Sequence, residues 1–209
     1  MPSDYRAIRL SPREIHAEAY KKYLGGGARD WEKRGAFQVE MMRALGLRPE
    51  HSLLDVGCGP LRGGIHFIRF LDPGNYRGVD VNPSFVDAAH VLLQQAGLPQ
   101  VIPCVTVISD FDFGALGRTF DRLLCFSVLN HCVADDRARF FERVADVMDP
   151  TSRVVVTHGA WFDPAQLRDH RLRVTRTLET EAALGPDIRF ADWGFDEGPG
   201  DRLPIVELA

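Results

Sequence analysis

The 209-residue chain is 45% hydrophobic and 26% charged, values of an ordinary globular protein and enough for one well-buried domain rather than two. Its net charge of −4 lacks the basic excess of a phosphate-backbone binder, which argues against a nucleic-acid partner. The longest apolar runs are strand-sized and the opening MPSDYRAIRL is polar, so neither a membrane span nor a signal peptide is expected, and the cytoplasm is the expected location.

Residues 12–46 read as helical, in two pieces parted by Gly25, Gly26 and Gly27. In the second piece Trp31, Phe37, Met41 and Leu45 recur at helical spacing and form one apolar face. That face either packs on the rest of the molecule, or the glycines act as a hinge and the segment as a lid, bringing Tyr23, Arg34 and Gln38 against a ligand.

The next stretch, LLDVGCGPLRGG (53–64), organises the chain. An apolar run reaches Asp55 and breaks into Gly57, Gly59, Gly63 and Gly64, the pattern of a buried strand ending in a tight loop that opens a helix. Glycine admits positive φ and close approach of a ligand to the backbone, and the free N–H groups of a helix start attract negative groups. A dinucleotide fingerprint would need glycine where Arg62 stands, and no Lys-Ser or Lys-Thr pair follows to make a phosphate loop.

From there strand and helix alternate. Strands are expected at 52–56, 76–80, 103–108, 121–127 and 152–158, with helices at 62–71, 83–96 and 135–148. This is the pattern of a parallel sheet covered on both faces, whose ligands sit beyond the carboxyl ends of the strands, where Gly57, Asp80, Asp110, Ser127 and His158 fall. A further helix is expected over 163–180, then a closing antiparallel hairpin made of 187–194 and 202–208. Four cysteines, at 58, 104, 125 and 132, contain no CxxC pair, so neither a metal site nor a disulfide framework is expected.

Four segments in order carry a resemblance: Asp55 to Gly59 (DVGCG), YRGVDVNP (76–83), TVISDFDF (106–113) and FDRLLCFSVLNHC (120–132). Together they resemble the class I S-adenosylmethionine (SAM) dependent methyltransferases, although Leu61 stands where that family often has a third glycine. The resemblance implies a Rossmann-like, doubly wound, mostly parallel seven-stranded sheet with its last strand antiparallel. It implies N-terminal helices over 1–46 as a lid or cap and a SAM-binding domain over 47–209, a single domain overall. It also implies SAM as cofactor and S-adenosylhomocysteine as product, with cofactor-binding roles for Asp55, Gly57, Cys58, Gly59, Arg62, Asp80, Val81, Asn82, Asp110, Phe111 and Ser127. Asp80 would take the ribose hydroxyls, Asp110 the adenine with Phe111 stacking on it, and Arg62 either the amino-acid carboxylate or solvent.

Methyl transfer to a hydroxyl or ammonium needs a proton acceptor, and histidine suits that role near neutral pH. His131 in SVLNHC and His158 in VVVTHGAWF are the candidates; each could instead serve a neighbouring loop. Trp161, Phe162, Phe111 and Phe113 either wall an apolar acceptor pocket or belong to the core. The arginines at 168, 171, 173 and 176 read as a solvated face or as a pocket for an anionic acceptor. The expected activity is methylation of an O or N atom of a small molecule, with no nucleic acid and no membrane as partners and a homodimer left open. A peptide or macromolecular acceptor, a SAM-binding protein without transferase activity and an NAD-dependent oxidoreductase are the rivals.

Overall fold

The computed structural model describes residues 5–24, 30–159, 161–167, 172–178 and 205–209. The strands are β1 (Leu53–Val56), β2 (Tyr76–Asp80), β3 (Val105–Val107), β4 (Arg122–Cys125), β5 (Arg153–Thr157), β6 (Val174–Leu178) and β7 (Ile205–Leu208). The helices are α1 (Pro12–His16), α2 (Trp31–Ala44), α3 (Gly64–Phe70), α4 (Pro83–Gln95) and α5 (Ala134–Val144). The strands make one seven-stranded sheet in the order β3-β2-β1-β4-β5-β7-β6. β1 to β5 pair in parallel, and β7 runs antiparallel to both β5 and β6. The expected doubly wound sheet with its last strand reversed is therefore present.

Both faces of the sheet are covered because the central strands carry apolar side chains toward both sides, and alternate residues serve opposite cores. Leu53, Leu124 and Val155 join Phe37, Met41 and Phe67 on one side. Leu54, Val56, Leu123 and Val154 join Phe140, Phe141 and Val144 on the other. A smaller cluster ties the N-terminal segment to α4 through Ile15, Tyr20, Trp31, Phe85 and Ala88. α1 is held by a capping box in which Ser11 and Glu14 satisfy each other's backbone N–H, a motif worth about 1 kcal/mol.

The N-terminal region is shorter in helix than expected. α1 is followed by a 3-10 turn at Ala19–Tyr23, and the glycine hinge at 25–27 lies outside the described residues. The expected helix over 163–180 is corrected: Pro164–Leu167 is a 3-10 turn and Val174–Leu178 is a strand. The physical reason is Val-Thr-Arg-Thr-Leu itself, three β-branched residues in five, which fit a pleated edge better than a helix. β6 also takes the place expected of 187–194 as the partner of β7, with Thr177 opposite Val206 and Leu178 opposite Ile205; residues 187–194 lie outside the described residues. Arg176 is exposed on β6, a charged side chain on an edge strand that discourages pairing with another chain.

Candidate active site

The carboxyl ends of β1, β2 and β4, together with the loop after β3, open on one cavity. Its wall includes Asp55, Gly57, Cys58, Gly59, Arg62, Asp80, Val81, Asp110, Phe111, Ser127 and His131. Eleven residues expected at the site from sequence are thus neighbours, although they span 77 positions of the chain, from 55 to 131.

The glycine loop is tucked against β2 by Gly57 N–H and Cys58 N–H, which both donate to the Val79 carbonyl at 2.7 and 3.0 Å. Gly57 and Gly59 have φ of 72° and 53°, the left-handed region that glycine enters at no steric cost. A Cβ on Gly57 would lie 2.2 Å from Val128 Cγ2, whereas one on Gly59 would enter open space. The chain therefore leaves room at Gly59 for a group approaching the backbone.

The Asp80 carboxylate is fixed at the rim. Gly59 N–H donates to Oδ2 at 2.9 Å and Asn82 N–H to Oδ1 at 2.8 Å, and burial nevertheless pushes its pKa up. Asp55 is deeper: it is 4% exposed, Tyr76 Oη donates to it at 2.7 Å, and burial raises its pKa to about 7. Arg62 is half-buried, its pKa pushed down to about 10 by desolvation and then by Arg34. It still carries its charge at neutral pH, with its guanidinium 5.8 Å from the Trp31 ring.

Four non-glycine residues on or beside the cavity adopt positive φ: Leu61 (62°), Asp110 (54°), Phe111 (55°) and Ser127 (58°). Such conformations cost roughly 1–3 kcal/mol each and cluster where surrounding structure imposes them for function. Leu61, in the place of the third glycine, is fully buried; the turn is kept and packing of its side chain offsets the strain. Ser127 N–H donates to Thr157 Oγ1 at 2.6 Å, and the Phe111 ring meets Phe140 edge-on at 5.5 Å.

Two expected site residues fall elsewhere. Asn82 is 0% exposed, and its side chain caps α4 by accepting from Ser84 N–H at 2.8 Å while its amide donates to the carbonyls of Tyr5 and Ile8. It anchors the N-terminal segment instead of lining the cavity. His158 also stays off the wall, packed on Phe162 with ring centroids 4.7 Å apart. Trp161 and Phe162 share that cluster, whereas Phe111 and Phe113 do line the cavity. Arg173 and Arg176 are exposed and off the wall; positions 168 and 171 lie outside the described residues.

His131 lines the cavity, burial pushes its pKa down, and the Tyr5 ring meets it edge-on at 4.8 Å. Tyr5, Arg6, Leu24 and Asp136 are wall residues that the sequence did not reveal. Arg6 reaches Asp136 at 2.8 Å, and Arg139 bridges Asp136 and Asp110 at 3.3 and 3.5 Å. The N-terminal segment is thereby linked by alternating charges to the loop after β3. Of Tyr23, Arg34 and Gln38, only Gln38 lies on the wall. Among the described residues no three His, Cys, Asp or Glu side chains could hold a metal ion, and no helix is long and apolar enough to cross a membrane.

The chain matches the family model of the methyltransferase domain over residues 53–151. It is similar to several solved structures of that kind. Magnesium protoporphyrin IX methyltransferase of Synechocystis PCC 6803, with bound SAM, is 17% identical over 96% of this chain and 98% of its own, with a TM-score of 0.58. A SAM-dependent methyltransferase of Clostridium acetobutylicum ATCC 824 is 12% identical over 95% and 98%, with a TM-score of 0.64. The mitomycin 7-O-methyltransferase MmcR is 20% identical over 94% of this chain and 59% of its own, with a TM-score of 0.58. At these identities the likeness is one of fold.

Proposed function

We propose that the cavity holds SAM along the rim of the sheet and that the protein transfers its methyl group to an oxygen or nitrogen of a small-molecule acceptor. The observation that carries the reading is the convergence of Gly57–Gly59, Asp80 and Asp110, from three successive strand ends, on one cavity. The half-buried Asp80 carboxylate retains lone pairs for the ribose hydroxyls, the open space at Gly59 admits the ligand to the backbone, and Arg62 supplies a cation for the amino-acid carboxylate. Asp110 and Phe111 take the adenine. Residues 1–46 act as the cap, since Tyr5, Arg6, Leu24 and Gln38 close one side of the cavity. A wall of that kind suits an acceptor small enough to be enclosed, in line with the acceptors named for magnesium protoporphyrin IX and mitomycin 7-O-methyltransferases.

When bound, SAM supplies a methyl group on a cationic sulfur, already activated for in-line displacement. The protein's part is then orientation and exclusion of water, worth several orders of magnitude in rate. His131 is the wall histidine suited to take the proton lost by the acceptor, because an imidazole is mostly neutral at neutral pH and partial desolvation lowers its pKa further. The test is calorimetric titration with SAM, S-adenosylhomocysteine and NAD, followed by incubation with candidate small molecules to detect released S-adenosylhomocysteine. Wild-type protein should bind the first two and not NAD, and Asp80→Ala should weaken both by about tenfold or more. Equal binding by Asp80→Ala would remove the assignment.

A further inference from the structure

We propose that Gln38 reads the α-amino-acid end of the cofactor, its amide oxygen accepting from the ammonium and its amide N–H donating to the carboxylate, beside the charge of Arg62. The inference rests on the cavity being the SAM site and goes further by assigning a specificity residue outside the family-model span of 53–151.

Three observations lead to it. Gln38 is 6% exposed and lines the cavity, yet its side chain has no hydrogen-bond partner among the described residues. Its amide atoms are also absent from the sealed, unsatisfied buried atoms, so the amide is open to the cavity. A buried amide without a partner is destabilising unless something outside the fold satisfies it. Second, two glycines let α2 press this amide against the loop. A Cβ on Gly35 would lie 2.1 Å from the Arg62 carbonyl oxygen, and one on Gly63 would lie 2.4 Å from Gln38 Oε1. Gly63 has φ of −85°, so its backbone does not require glycine; a Cβ there would meet only the end of the Gln38 side chain and would push the amide aside.

Third, the sheet orders the ligand. Asp110, Asp80 and Gly57 follow β3, β2 and β1, which are neighbours in that order. A ligand with its adenine at Asp110 and ribose at Asp80 therefore directs its far end toward the glycine loop, where Arg62, Gly63 and Gln38 stand. That end is a zwitterion, and one amide with one guanidinium matches an ammonium and a carboxylate.

The discriminating ligands are S-adenosylhomocysteine, which keeps the amino-acid end, and 5′-methylthioadenosine, which lacks it. By calorimetric titration, Gln38→Leu, of similar volume, should lose about 10- to 100-fold in affinity for S-adenosylhomocysteine and keep that for 5′-methylthioadenosine within about twofold. Gly63→Ala, which displaces the amide without removing it, should show the same selective loss. Unchanged binding of S-adenosylhomocysteine by Gln38→Leu, or an equal loss for both ligands, overturns the proposal. Failure of the wild-type protein to bind either ligand would instead overturn the cofactor reading on which it rests.

Discussion

Among single residues, Asp55 is the one most at odds with its surroundings. Its carboxyl is buried and its pKa lies near 7 in the folded chain, against about 3.9 for an ordinary aspartate. Between these values the folded state holds a proton that the unfolded state has released, so this residue lowers stability as pH rises from about 4 to 7. Asp55→Asn keeps an acceptor for Tyr76 and removes the charge. The gain in melting temperature of the variant over wild type should grow across that interval and level off above it; a gain independent of pH would show that the charge is not the cause. His131 has the opposite character. A base must be neutral, and burial lowers its pKa, so the acid limb of kcat should fall below pH ~6.5, the ordinary histidine value. His131→Ala should cost about 100-fold or more in kcat, while His158→Ala should stay within a few fold, as expected of a ring packed on Phe162. Equal losses in the two variants would move the base elsewhere. Sequence proximity misled at Asn82, which sits two places from Asp80 yet turns its amide toward carbonyls of Tyr5 and Ile8, 77 and 74 positions away. No local pattern announces a contact of that range.

The N-terminal segment is the element whose contribution was least legible. Its apolar residues foretold packing, but neither Tyr5 nor Arg6 stands in a motif, so their place on the cavity wall emerges only from the fold. Asp136 carried a faint signal, an acid in the first turn of the helix after His131, indistinguishable in sequence from an ordinary partner of the helix dipole. Arg6 is half exposed while Asp136 is mostly covered, so the pair contributes at most about 1 kcal/mol. Arg6→Ala should therefore raise the dissociation rate of S-adenosylhomocysteine by about two- to fivefold and blunt its salt dependence, with Arg6→Lys restoring most of the wild-type rate. Stopped-flow displacement measures this, and an unaltered rate would deny the segment any gating part. The 163–180 region was misread for a different reason: the β-branched Val174, Thr175 and Thr177 take a strand once β7 offers a partner.

At the level of the whole molecule, the parallel half was readable because a buried strand, a turn and a helix repeat with little interruption, and because each strand end carries a chemically distinct residue. The antiparallel half depends on β7, inserted between β5 and β6. Val206 and Leu208 are fully buried, and Ala209 exchanges both of its backbone hydrogen bonds with Arg173. Removing residues 205–209 should strip one side of β5 and all pairing of β6, and abolish cooperative thermal unfolding; a truncated chain that still melts in one sharp transition would show that the sheet tolerates ending at β5. At the other end of the same rim, Asp80 is gripped through both oxygens by the amides of Gly59 and Asn82. Its side-chain rotor is frozen before any ligand arrives, so docking hydroxyl groups there has little motional freedom left to quench. On the proposed reading, a ligand entering the cavity would meet a rigid template, and selectivity at that point would rest on the spacing of its two hydroxyls rather than on adjustment by the carboxylate.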